Sequence, residues 1–145
     1  MKVEFHSGVP DKLDHACRLL RKAQAAGAKV VVAGEPGLLD RLDVALWTFD
    51  ALSFVPHVRV RASGSPAVAA SRTPVWLADA PAASAPTDVL VNLGANMVPG
   101  WQRFARVIEV VGTDDADSQP ARQRWRTYGE QPGVELVHHA RGAAP

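Results

Sequence analysis

Apolar residues recur along this chain with two different periods. "VEFH" at 3–6 is a short run rich in β-branched and aromatic residues, whereas Leu13, Cys17, Leu20 and Ala23 return every three or four positions, as on one face of a helix. "AKVVVAG" at 28–34 is apolar without alternation, the pattern of a strand covered on both faces in a parallel sheet, and Gly27 suits the end of the helix before it. In "EPGLLDRLDVALW", Pro36 fits a first helical turn, and Leu38, Leu39, Leu42, Ala45 and Leu46 form one stripe. The stripe predicts a second helix that stops near Phe49.

From Ser63 to Pro86 the chain turns to Ala, Ser and Pro, interrupted by "TPVWLA" at 73–78, a strand between irregular connections. "TDVLVNL" at 87–93 and "RVIEVVG" at 106–112 predict two central strands, separated by a short segment around Trp101 and Phe104. The acidic "TDDADS" offers capping side chains to a helix over about 117–128, and "GVELVHH" at 133–139 adds a last strand. This alternation predicts one three-layer α/β domain over 1–140 with a mainly parallel central sheet, followed by a frayed tail at 141–145.

Sixteen basic and fifteen acidic residues leave a formal net charge of +1. There is no global field to hold nucleic acid or an anionic membrane, so any charge-based recognition must be local. Cys17, alone of its type, lies in the helical stripe and reads as a small apolar core residue. No apolar run approaches the roughly 18 residues of a membrane span, and the chain's start does not read as a signal peptide; a cytoplasmic location is expected.

Reactive chemistry finds little support. Gly34 and Gly37 stand between a strand and a helix, the place of a nucleotide loop, but Leu38, Leu39 and Asp40 follow where a phosphate loop needs Lys and Ser or Thr, and the dinucleotide pattern needs a third spaced glycine. The fold is therefore expected to be Rossmann-like without a nucleotide-binding loop or cofactor; a small nucleotide-binding protein or enzyme using the Gly34 to Gly37 turn is the alternative. His6, His15 and His57 are scattered, and His138 and His139 point to opposite faces of a strand, so no metal site is expected. Ser7, Ser53 and Ser71 lack a nucleophile-elbow setting and cannot be paired with a base from sequence, so no catalytic residue is assigned.

Two segments carry more information. Arg41 to His57 places Trp47, Phe49, Phe54, Val55 and Pro56 at and just beyond a helix end, either as a core-lining loop or as a patch for a partner; His57 can satisfy a local backbone group. In "QPARQRWRTYG", Gln119 to Gly129, Arg122, Trp125 and Arg126 fall at i, i+3 and i+4, while Ala121, Arg124 and Tyr128 turn toward other faces. Two guanidinium groups flanking an indole suit an acidic peptide with an apolar end. The competing readings are an ordinary solvated helix face and direct stacking of single-stranded bases on Trp125.

"RLDVALW", "SFVPH", "DVLVNL", "VIEVV" and "ARQRWRTY" occur in an order and at a spacing that resembles the chi subunit of bacterial DNA polymerase III over nearly the whole chain. The most specific part is Leu42, Asp43, Leu46 and Trp47 with Ser53, Phe54, Pro56 and His57 after them. The resemblance implies a non-enzymatic adaptor of the clamp-loader assembly that binds the acidic, phenylalanine-ended C-terminal tail of single-stranded DNA-binding protein, and so meets nucleic acid indirectly. Arg122 and Arg126 would pair with tail carboxylates, and Trp125, where the family often has tyrosine, would wall the pocket for the terminal phenylalanine. Trp47, Phe54 and Pro56 match the region that meets the psi subunit or another clamp-loader component. Two departures bear on this: Ser118 stands where well-known members carry lysine, removing one charge-assisted contact, and Pro120 falls inside the matching helix, which requires a helix start close to it.

Overall fold

Residues 1–48, 55–60, 73–79 and 87–140 are described by a computed structural model. Within them the chain runs β1 (Lys2–Val9), α1 (Lys12–Ala25), β2 (Val30–Ala33), α2 (Pro36–Thr48), β3 (His57–Val60), β4 (Val75–Ala78), β5 (Val89–Asn92), a 3-10 turn (Trp101–Arg103), β6 (Arg106–Gly112), α3 (Asp115–Gly129) and β7 (Glu135–Ala140). The strands make one parallel sheet in the order β3-β4-β2-β5-β6-β1-β7. The α/β class, the parallel sheet and the central places of β5 and β6 agree with the hydrophobic pattern.

Helix boundaries follow local chemistry. The Asp11 side chain accepts from the backbone N–H groups of Leu13 and Asp14 at 3.0 and 3.2 Å, capping α1, and Gly27 takes a left-handed conformation (φ 78°) just past its end. Pro36 opens α2, where its missing N–H leaves no bond unmade. Helix α2 is described up to Thr48, and its expected stop near Phe49 falls outside the described residues, as do Phe54, most of 63–86 and the tail at 141–145. One strand was not anticipated: His57–Val60, to which the hydrophobic pattern assigns no element, is edge strand β3, held by Arg59, which bonds to Asp40 at 2.9 Å and to Asp79.

Side chains of alternate parity build two cores on the two faces of the sheet. On one face α1 and α2 bury Ala16, Cys17, Leu20, Leu39, Leu42 and Leu46 against Val30, Val32, Val91 and Ile108. On the other, Ala121 and Tyr128 of α3, with Trp101 and Phe104 from the 3-10 turn, cover Val3, Phe5, Leu90, Val107 and Val111. That makes three layers. Cys17 is buried, and burial raises its thiol pKa to about 11, consistent with an apolar core role. No helix among the described residues is long and apolar enough to cross a membrane.

Helix α3 starts at Asp115, two residues earlier than the pattern suggested, which moves Pro120 into its second turn. The proline cannot return a hydrogen bond to the carbonyl of Ala116, yet the helix continues for nine residues beyond it because packing holds it from below. A buried polar network does this. Glu109, fully buried on β6, accepts from Arg124 Nε at 3.1 Å, from Tyr128 Oη at 2.6 Å and from Asn92 Nδ2 at 3.0 Å, while Arg124 Nη1 donates to the carbonyl of Ala95. Burial pushes the Glu109 carboxyl above its ordinary range against the opposing influence of Arg124, Tyr128 and Asn92, and it drives the Tyr128 hydroxyl well up too.

Candidate functional site

The network sets the rotation of α3. With Arg124 and Tyr128 pulled down onto β6, the helical period leaves Arg122 and Arg126 exposed and Trp125 half-buried at the margin of the sheet. The three arginines of Gln119 to Gly129 thus do different jobs: Arg124 is a core residue, and the other two are surface cations.

Beneath them opens a hollow of about 660 Å³. Its floor is apolar, from Phe5, Val111 and Ala121, and its rim carries Arg122, Arg126, Ser118, Ser7 and His138. It lies at the carboxyl ends of β1 and β6, with Gly8 and Gly112 in its lining. Trp125 forms one wall. Its indole meets Phe5 edge to face (centroids 5.2 Å apart, planes at 77°) and His138 at 6.0 Å, and Phe5 in turn abuts Tyr128 at 5.8 Å. The wall is therefore braced against the core while one side stays open to the hollow.

The candidate site residues of the carboxyl-terminal segment share one cavity. Arg122, Trp125 and Arg126 all line one cavity, and Ser118, where the resemblance noted a missing lysine, lines it too. Sequence reasoning missed the far wall. Ser7 Oγ and His138 Nε2 are 2.5 Å apart across the paired strands β1 and β7, so Ser7 does have an imidazole partner after all. No carboxylate holds the other nitrogen of His138 among the described residues, so the pair lacks the third member that orients a nucleophile's base. The pair places hydrogen-bonding groups on the rim of the hollow.

The second patch divides in two. Val55 is buried, as a core-lining loop requires, whereas Trp47 is 63 % exposed and Val44, three residues before it on α2, is 65 % exposed. His57 sits below the indole (centroids 5.4 Å apart), its side chain buried and bonded to the carbonyl of Val55 at 2.7 Å and to Asp43 Oδ1 at 2.9 Å, which is the local structural role expected of it. Pro56 is half-buried beside it. Phe54 is outside the described residues.

The turn at Gly34 to Gly37 has a packing explanation. A Cβ at Gly34 would stand 3.3 Å from Leu93 Cβ, so the glycine permits close approach of two strand ends. The neighbouring cavity contains Glu35 and Asp117, and its lysine, Lys12, is occupied by Asp117 at 2.7 Å and by the carbonyl of Leu93 at 2.8 Å. Arg41 also lines that cavity, so its charges are balanced.

Three of the histidines, His6, His15 and His139, meet in space, while His57 stays apart beside Asp43. His6 and His15 place Nδ1 and Nε2 2.9 Å apart, and the ring of His139 lies 5.3 Å from that of His6. Glu4, nearly fully buried on the same face, completes the group; burial opposes its ionisation, but Arg106 and Lys2 outweigh burial and hold its carboxyl below the ordinary range. Desolvation, with the adjacent His15, lowers the pKa of His6 to about 4. Separation of 133 residues between His6 and His139 hid this cluster from a linear reading.

A family model described as DNA polymerase III chi subunit, HolC, matches residues 1–136. Two relatives named DNA polymerase III subunit chi are similar: one from Pseudomonas aeruginosa, 34% identical over 88% of this chain and 85% of its own length, and one from Escherichia coli, 30% identical over 77% and 74%. Among solved structures, the C-terminal domain of the DEAD-box protein Dbp5 superposes with a TM-score of 0.64 over 97% of this chain and 90% of that one at 11% identity, a likeness of fold alone.

Proposed function

This chain belongs to the DNA polymerase III chi subunit family, an accessory subunit of a replicative polymerase, and on that premise we propose that it is a non-catalytic adaptor whose hollow under α3 takes the acidic, phenylalanine-ended tail of single-stranded DNA-binding protein. The observation that carries this reading is the pairing of an apolar floor with a cationic rim in one cavity: Phe5, Val111 and Ala121 below, Arg122 and Arg126 above, Trp125 between. A terminal benzyl group fits the floor, and preceding carboxylates fit the guanidinium forks. The Ser7 and His138 pair adds donors at the far rim.

Burial of one phenylalanine contributes about 1.5–3 kcal/mol, and each partly exposed Arg–carboxylate pair about 0.2–1 kcal/mol. Micromolar affinity, about 8 kcal/mol, then needs backbone contacts as well. A modest contact of this kind suits repeated capture of many tails on coated single strands, where multivalency raises the effective concentration. On the opposite layer, the exposed Trp47 and Val44, with the half-buried Pro56, form the face for psi or another clamp-loader component in the cytoplasm; Phe54, expected there too, lies outside the described residues.

The test is calorimetric titration with an acidic peptide ending in phenylalanine, the same peptide without that residue, and an oligonucleotide in the same buffer. The reading expects binding of the first alone. Equal binding of both peptides removes the role of the hollow, and preferential binding of the oligonucleotide replaces the peptide by bases stacked on Trp125. Heat on titration with a nucleotide would revive the Gly34 to Gly37 alternative.

A further inference from the structure

The cluster on the α1 face has no part in the proposed peptide contact. β1 and β7 are paired in register, so His6 lies directly beside His139, and Glu4, two residues before His6, projects to the same side. One ligand atom each from Glu4, His6 and His139 can be chosen so that all lie within 4.8 Å of one another. We propose that Glu4, His6 and His139 form a binding site for a borderline first-row dication such as Zn²⁺, with His15 as the positioning residue.

Tetrahedral coordination at about 2.0–2.2 Å sets ligand atoms roughly 3.3 Å apart. The observed spacing closes to that by small side-chain rotations. The contact of 2.9 Å between His6 Nδ1 and His15 Nε2 requires one nitrogen to donate and the other to accept. When His6 Nδ1–H donates, its Nε2 lone pair is free for a metal on the side where Glu4 Oε2 lies 3.9 Å away, the arrangement by which an outer histidine orients a metal ligand. His139 is exposed and leaves a route for the ion and a fourth position for water. Glu4 already accepts from Lys2 at 3.2 Å and from Arg106, so its charge is shared and the imidazoles supply most of the binding; this selects Zn²⁺, Ni²⁺ or Cu²⁺ over Mg²⁺ and Ca²⁺. The bound ion would clip β7 to β1.

The experiment is titration of tag-free, EDTA-stripped full-length protein with ZnCl₂ and, separately, MgCl₂, followed by calorimetry and thermal melting. The expected result is one Zn²⁺ per chain, no Mg²⁺, and a higher melting temperature in zinc. His139→Ala, at an exposed edge position, should weaken Zn²⁺ binding at least about tenfold while the metal-free melting temperature stays unchanged, and His15→Phe should weaken it by about 10- to 100-fold through loss of orientation. A Cu²⁺ complex should show imidazole nitrogen coupling in its electron paramagnetic resonance spectrum. Absence of stoichiometric zinc binding, or His139→Ala with unchanged affinity, overturns the proposal.

Discussion

Arg124 and Arg126 are two residues apart on one helix, and substituting each should affect different properties. Arg124→Met keeps the aliphatic stem but strips Glu109 of its guanidinium and leaves the Ala95 carbonyl without its donor. Breaking a buried pair from one side costs about 3–5 kcal/mol. Glu109 keeps Tyr128 and Asn92, and its raised pKa lets it take a proton, so the lower end applies, about 3 kcal/mol. At roughly 2–4 °C per kcal/mol for a domain near this size, the melting temperature should fall by about 6–12 °C. Arg126→Ala removes an exposed cation and should change stability by less than about 0.5 kcal/mol, yet weaken the acidic peptide by about 1.4- to 5-fold from one lost pair; Arg126→Glu adds repulsion and should lose more. Trp125→Ala should weaken the peptide by about 12- to 160-fold if it walls the phenylalanine, with a smaller stability loss of about 0.5–1.5 kcal/mol from its contact with Phe5. Differential scanning fluorimetry and peptide calorimetry on the same preparations measure both axes. If Arg124→Met melts like the parent, the network does not hold α3; if Arg126→Glu and Trp125→Ala bind peptide at parental affinity, the hollow is not the site.

Trp47→Asp should leave the melting temperature unchanged, because the indole is mostly exposed, and should abolish co-elution with the clamp-loader complex; intact co-elution removes that face. His6 should make the fold acid-sensitive. The unfolded imidazole takes a proton below about pH 6.5 and the native one only near 4, so the unfolded state binds more protons between those values; stability is complete above about 6.5 and is lost as pH falls toward 4, by about 2 kcal/mol once partial wetting of the site is allowed for. The groups facing that ring are Glu4, His15, His139 and Arg106, and urea melts in EDTA at pH 7 and 4.5 should converge in His6→Gln. Cys17, buried and with its thiol raised to about 11, should resist a disulfide reagent at pH 8 until urea unfolds the chain; rapid native labelling would contradict its placement.

Much of the fold was legible because strand and helix periods are local properties. Continuous apolar runs such as Val30 to Ala33 and Val89 to Val91 cannot be hydrated cheaply on either face, so they announced buried parallel strands before any partner was known. The short edge strand β3 was not legible: "HVRV" is only four residues, and its stability comes from Arg59 meeting Asp40 and Asp79, contacts made across the fold. Helix α3 began early for a similar reason. Its Pro120 argues against the five helical residues before it, and the Glu109 network beneath overrides that local preference.

The candidate site divides along the same line. Spacing within one helix placed Arg122, Trp125 and Arg126 on a common side, and helical geometry alone suffices for that. It could not say that Arg124, equally charged, belongs to the core, since that depends on a carboxylate fifteen residues away on β6. Nor could it bring His138 to Ser7 or His139 to His6, because parallel strand pairing joins residues more than a hundred positions apart, or set His15 of α1 against His6, because that depends on how the helix packs on the sheet. What the sequence by itself determined was the period of each element and the chemistry on each helix face. Which cations stay in water, and which imidazoles meet, was decided by the tertiary fold, because burial and Coulomb energy depend on neighbours in space and not on order along the chain.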